Sequence, residues 1–198
     1  MFNIIRADKA NGNIREQISF IFAEGFSKWL TYFSKEEEIL ARAFAHMFIL
    51  NQFYIALDGS KVVGFAACTD CNTQSVKLDC KELRKHLGFF KGIIASIVLK
   101  KEFTTSFDEK QTNSGSIEFV GTSSEYRGKG IASMIIKYIL ENTPFNTYFI
   151  QEVADTNIPA MSLYKKLGFI EYRSKQVPNH ESEKIGINRL VSFKYEKH

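Results

Sequence analysis

Ser116-Ile117-Glu118-Phe119-Val120-Gly121-Thr122 is a β-prone run, and Glu125-Tyr126-Arg127-Gly128-Lys129-Gly130-Ile131-Ala132 follows it as a loop that opens a helix. Ile131, Met134, Ile135, Tyr138 and Ile139 continue at helical period until Asn142-Thr143-Pro144 stops them. Downstream, Tyr148–Val153 reads as a short strand, Asn157 as a helix cap with Pro159 in the first turn, and Gly168 as the left-handed residue that ends the helix. Gly128 and Gly130 remove the Cβ atoms that would keep a ligand from the backbone. The N–H groups that open a helix point outward with the positive end of the helix dipole behind them. Arg127 and Lys129 add side-chain charge, so the loop reads as a cradle for an anion such as a pyrophosphate. On spacing alone an ordinary glycine-rich turn accounts for it equally well.

Outward from this stretch, the N-terminal half reads as helix, helix, strand, strand. An apolar stripe runs from Ile14 to Phe33, with a bend expected near Gly25, and a second helix is expected after Ser34, where Ser34 and Glu37 form a capping pair. Phe53–Leu57 and Val62–Cys68 flank Asp58-Gly59, the pair a tight hairpin prefers. Leu83, Leu87, Phe90, Ile94, Ile97 and Val98 mark one further helix inside a segment of about residues 70–114. Phe169–Arg173 and Leu190–Tyr195 close the chain as strands around the polar loop 174–188. One domain over 1–198 is expected, with 70–114 as an insertion.

Composition narrows the function classes. A net charge of +4 over 198 residues is too small for the footprint of a DNA-binding domain, so no nucleic-acid partner is expected. No apolar run approaches the length of a membrane span and the N-terminus carries no apolar signal core, so a cytoplasmic protein with no membrane contact is expected. Cys68, Cys71, Cys80 and His86 match no common zinc spacing, and no metal is expected.

Arg127-Gly128-Lys129-Gly130-Ile131-Ala132 after a strand, followed by Asn157-Ile158-Pro159-Ala160-Met161-Ser162-Leu163-Tyr164-Lys165-Lys166-Leu167-Gly168-Phe169, resembles the two signature regions of the GNAT acyltransferase superfamily. The resemblance is carried by residues 116–172, with Arg127, Gly130 and Ala132 on the fixed positions of the R/Q-x-x-G-x-G/A pattern, and over the N-terminal half it extends to element order alone. It implies an α/β (α+β) fold with a mixed, mostly antiparallel twisted sheet flanked by helices, here with a helical insertion between the third and fourth strands. It implies acetyl-CoA as the acyl donor, a co-substrate whose pyrophosphate lies on the amides of Arg127, Gly128, Lys129, Gly130, Ile131 and Ala132 and whose pantetheine arm pairs with the backbone of Val120 and Thr122. Asn157 matches the asparagine that contacts this donor, and Tyr164 the tyrosine that protonates the departing thiolate.

Glu118 matches a strand position often acidic in the family, and strict alternation puts it on one face with Val120 and Thr122; it is the first candidate for general base. Glu152, Asp155 and a water relay are the alternatives. His46, among Phe44, Met47 and Phe48, is expected to be a hydrogen-bonded structural histidine, and Phe22, Phe26, Trp29, Tyr32 and Phe33 to belong mostly to the core, with some lining an acceptor site. The expected activity is N-acetylation of a primary amine on a small molecule by direct attack on the thioester, in a monomer or homodimer. Two alternatives stand beside it: a protein or peptide N-acetyltransferase, and an acyl-CoA-binding sensor without turnover. The retained Tyr164 counts against the sensor, which has no need of an acid.

Overall fold

The computed structural model describes residues 2–103, 113–178, 182 and 186–197. Its strands are β1 (Asn3–Arg6), β2 (Phe53–Asp58), β3 (Lys61–Thr69), β4 (Ser114–Thr122), β5 (Thr147–Ala154), β6 (Ile170–Gln176) and β7 (Arg189–Glu196), and its α-helices are α1 (Ile14–Gly25), α2 (Ser27–Leu30), α3 (Glu37–Phe44), α4 (Cys80–Leu87), α5 (Phe89–Phe103), α6 (Ile131–Asn142) and α7 (Ile158–Lys166). The strands form one sheet in the order β1-β2-β3-β4-β5-β7-β6, antiparallel except between β4 and β5. This is the mixed, mostly antiparallel architecture expected from the sequence.

Two apolar cores sit on the two faces of the sheet. Phe22, Phe44, Phe48, Phe53 and Phe65 are fully buried between α1, α3 and the strands, and Phe22, Phe48 and Phe53 meet in edge-on ring pairs. Burial of each such ring contributes on the order of 1.5–3 kcal/mol. The other face is covered by α6 and α7, whose Ile131, Ile135, Ile139, Met161 and Tyr164 pack with Tyr148, Val191 and Phe193.

The elements depart from the expected ones in four places. Asn3–Arg6 is an edge strand, too short to show a period but held by pairing with Tyr54–Leu57. The first helix ends at Gly25 and resumes for a single turn; Phe22 and Phe33 are buried, Tyr32 is exposed, and the side chain of Trp29 lies outside the described residues. Ser34 Oγ accepts from the Glu36 N–H, and the helix that follows starts at Glu37 and stops at Phe44. The insertion holds two helices instead of one, because Gly88, at φ +79°, ends α4 and resets the helical phase before Phe89. Residues 104–112 of the insertion and 179–181 and 183–185 of the polar loop lie outside the described residues.

Candidate active site

Among the described residues β4 and β5 pair at Ser114–Thr147, Gly115–Tyr148 and Ser116–Phe149 alone. From Ile117 onward β4 stays on β3 while β5 stays on β7, and the sheet opens between them. Both strands carry a bulge beside this opening. Phe119 (φ +52°) and Val120 together oppose the single residue Ala66, and Gln151 and Glu152 (φ +54°) oppose Ser192, whose hydroxyl accepts the Glu152 N–H at 3.2 Å. A bulge bends its strand, and two of them let the neighbours diverge. A positive φ at a residue with a side chain costs about 1–3 kcal/mol and accumulates at functional sites.

At the end of β4 the chain turns into the cradle. Gly128 and Gly130 adopt φ +77° and +78°, and a Cβ added at either would meet no atom within 4 Å, so the space above the loop is open. The first helical hydrogen bond of α6 runs from Met134 N–H to the Gly130 carbonyl at 3.0 Å. The N–H groups of Ile131, Ala132 and Ser133 precede it and have no carbonyl one turn earlier in the helix to bond. The helix start lies tightly on β3 because Gly64 lacks a side chain; a Cβ there would come within 2.6 Å of Ile131 Cγ2. The loop is fixed from outside. Tyr126 donates to Asp58 Oδ2 at 2.9 Å, Lys129 stands over the Tyr126 ring, and Arg127 lies 3.9 Å from Glu24, which also accepts the Ser124 N–H. An open surface of N–H groups flanked by Arg127 and Lys129 fits a pyrophosphate, each charge-assisted bond contributing about 1.5–3 kcal/mol.

On α7, Asn157 Oδ1 accepts the Ala160 N–H at 3.3 Å and so caps the helix. Two turns on, Tyr164 is buried with its ring near Phe193 and Phe169. Desolvation pushes its phenol up to about 12, which keeps it protonated at neutral pH, the form an acid needs.

The bulge changes the place of Glu118. Its cross-strand partner is Ala67, which belongs to the core under α1, whereas Val120 packs in the core under α6. Glu118 and Val120 therefore face opposite sides of the sheet, contrary to strict alternation, because the extra residue at Phe119 inverts the phase. Both carboxylate oxygens of Glu118 are occupied: Ser75 donates to Oε2 at 2.6 Å and Thr69 to Oε1 at 3.3 Å. Ser116 and Ser114, two and four residues before it, bury their hydroxyls with no hydrogen-bond partner among the described residues. The alternatives to Glu118 serve the surface: Glu152 lies 3.8 Å from Lys175, and Asp155 accepts the Asn188 N–H at 3.2 Å.

A family model described as the acetyltransferase (GNAT) family matches residues 18–169, which is well over half of the chain. The chain belongs to the GNAT acetyltransferase family. Its fold is similar to an N-acetyltransferase from Staphylococcus aureus Mu50 (16% identity, 98% of this chain and 100% of that one, TM-score 0.62). It is similar also to a GCN5-related N-acetyltransferase from Kribbella flavida (15% identity, 98% and 97% covered, TM-score 0.59), and to PH1933 from Pyrococcus horikoshii OT3 (16% identity, 100% and 99% covered, TM-score 0.59). No curated protein sequence matches it. In this GNAT chain Ser75 and Thr69 had no signal in the sequence as partners of Glu118. Ser75 lies within the insertion, held beside the sheet by its carbonyl, which accepts the Ile49 N–H at 3.0 Å, and by the bridge of Val76 with Phe48. His46 does what was expected of it, its Nε2 accepting the Asp79 N–H at 2.9 Å and tying the end of α3 to the insertion. Cys68 and Cys71 are buried and their thiols are pushed up to about 12, which makes them poor nucleophiles. No helix among the described residues is long and apolar enough to cross a membrane.

Proposed function

We propose that this GNAT chain transfers the acetyl group of acetyl-CoA to the primary amine of a small molecule by direct attack on the thioester. The observation that supports the reading most is the opening between β4 and β5, whose ladder among the described residues ends at Ser116–Phe149, and which leads to the open glycine loop. An extended arm ending in a pyrophosphate suits that path, with backbone pairing along Val120 and Thr122, the amides of Gly128, Gly130, Ile131 and Ala132 and the side chains of Arg127 and Lys129 on the pyrophosphate, and Asn157 at the far side. The Arg127 and Lys129 N–H groups donate instead to the Ser124 and Tyr126 carbonyls at 3.2 and 3.4 Å. The donor supplies a thioester with an electrophilic acyl carbon. Glu118, directly or through a water molecule, takes the proton that the attacking amine must lose as the C–N bond forms. Tyr164 gives its proton to the sulfur as the C–S bond breaks. Glu118 on one face and Tyr164 on the other suit the two ends of this exchange, acceptor and leaving group.

A panel of small amines and of lysine-bearing and N-terminal peptides, each supplied with acetyl-CoA and followed by released thiol, tests this. Release with one or more small amines and none with peptides is the expected outcome. Release with peptides alone would transfer the reading to a peptide acetyltransferase. Bound acetyl-CoA with no release across the panel would make the chain a sensor.

A further inference from the structure

The insertion presents an apolar face that the fold does not cover. α4 and α5 form a helical hairpin whose arms nearly touch: a Cβ on Gly92 would lie 2.5 Å from Arg84 Cα. The inward side of α5 is Gly92, Ala95 and Leu99, and small residues there bring its backbone close to the domain. Its outward side is Phe90 (79% exposed), Ile97 (67%), Val98 and Ile94. Among the described residues, five of the nine large apolar side chains that stand exposed fall between Phe89 and Val98. Contiguous with this ridge is a hollow of about 350 Å³ lined by Lys81, Arg84, Lys85 and Phe89. The Arg84 guanidinium stands 4.0 Å over the Phe89 ring, and Phe89 meets Phe90 edge-on at 5.5 Å.

Charge identifies the occupant. By sequence α4 and α5 hold six Lys and Arg against two Glu, a surplus equal to the +4 of the whole chain; at the hollow itself stand Lys81, Arg84 and Lys85, whereas Lys91 Nζ donates inward to the Phe33 carbonyl at 3.0 Å. Glu82 partly offsets Lys85, 3.8 Å away. A second copy of the chain meeting this face about a two-fold axis would set the cations against themselves, which disfavours it. We infer that the α4–α5 hairpin is a docking surface for a bilayer carrying anionic lipids. The phosphates of the headgroups enter the hollow at Lys81, Arg84 and Lys85 on α4, while Phe90, Ile94 and Ile97 on α5 lie at the level of the acyl boundary, so the two arms of the hairpin divide the charged and apolar contacts between them. The expectation of no membrane contact rested on the lack of a spanning segment, and a helix lying in the interface needs none.

Co-sedimentation with vesicles of phosphatidylcholine alone, and of equal parts phosphatidylcholine and phosphatidylglycerol, tests the surface without reference to catalysis. The full chain is expected to bind the anionic vesicles and not the neutral ones. The double variant Phe90→Ser/Ile97→Ser and the double variant Lys81→Glu/Lys85→Glu should each weaken binding by roughly tenfold or more, at unchanged melting temperature and unchanged affinity for acetyl-CoA. Equal binding to both vesicle types, no binding to either, or full retention in both variants overturns the inference. So does a concentration-dependent dimer in light scattering that Phe90→Ser/Ile97→Ser abolishes, which would give the face to a second copy.

Discussion

At the scale of single residues the two proton-handling candidates occupy opposite environments. Tyr164 sits in an apolar shell with its phenol raised to about 12 by desolvation, so it is protonated at neutral pH. Tyr164→Phe keeps the ring and its packing against Phe193, and removes only the donor. Steady-state kinetics should show kcat lower by roughly 10²–10⁴-fold with donor affinity little changed, and an unchanged kcat with chemistry rate-limiting would take Tyr164 out of the mechanism. Glu118 is instead held by two hydroxyls, so its carboxylate is fixed in direction by Ser75 and Thr69. Glu118→Gln keeps the size of the side chain and removes the carboxylate, and should lower kcat by roughly 10²–10⁴-fold. Ser75→Ala should lower kcat less, because it removes orientation alone. Equal kcat in the parent and Glu118→Gln would give the role to water. The local structure of the candidate residues was legible where a motif fixes it: Gly128 and Gly130 take positive φ, Asn157 caps α7 and Tyr164 lies on that helix. The face of Glu118 was not legible, because a bulge at a phenylalanine leaves no mark in composition or period.

At the scale of elements, order was legible wherever local chemistry marks an end. Asp58-Gly59 makes its hairpin, Asn157 caps α7, and Gly168 takes φ +90° past the end of that helix. The insertion was misread as one helix since its apolar spacing is compatible with a single period through Gly88, and only the turn at that glycine shows that Leu83 and Leu87 face the core while Phe90, Ile94 and Ile97 face outward. His46 joins α3 to this insertion, and burial lowers its pKa from the ordinary histidine value of 6.5 against the opposing pull of Glu82 and Asp79. A protonated ring cannot accept the Asp79 N–H. The folded pKa lies below the unfolded one, so the unfolded chain binds the proton more readily and the contribution of His46 is fully present above pH 6.5 and fades as pH falls through the folded value. Thermal melts across pH 5 to 8 should therefore show a loss of stability on the acid side that is smaller in His46→Gln, whose side-chain oxygen still accepts the bond. Parallel curves for the two proteins would mean that this histidine is not linked to folding.

At the scale of the whole molecule, a sheet continuous from β1 to β6 opens between β4 and β5, with the glycine loop following β4 on one side and α7, which carries the buried Tyr164, following β5 on the other. β4, α6, β5 and α7 follow one another in the chain, so the elements proposed to hold the donor lie in a single stretch. α1, α3 and the insertion, proposed for the acceptor, meet only in three dimensions. The central claim is that the opening and the glycine loop together form one acyl-donor site, and calorimetric titration of acetyl-CoA into the parent and into Gly130→Asn tests it most directly. Asparagine tolerates the left-handed backbone that Gly130 adopts, so the substitution fills the open space above the loop without forcing the turn. The expected result is saturable binding at one donor per chain in the parent and affinity weaker by about tenfold or more in the variant, roughly the loss of one charge-assisted contact, at equal melting temperature. Equal affinities in the two proteins, or no heat of binding in the parent, would contradict it.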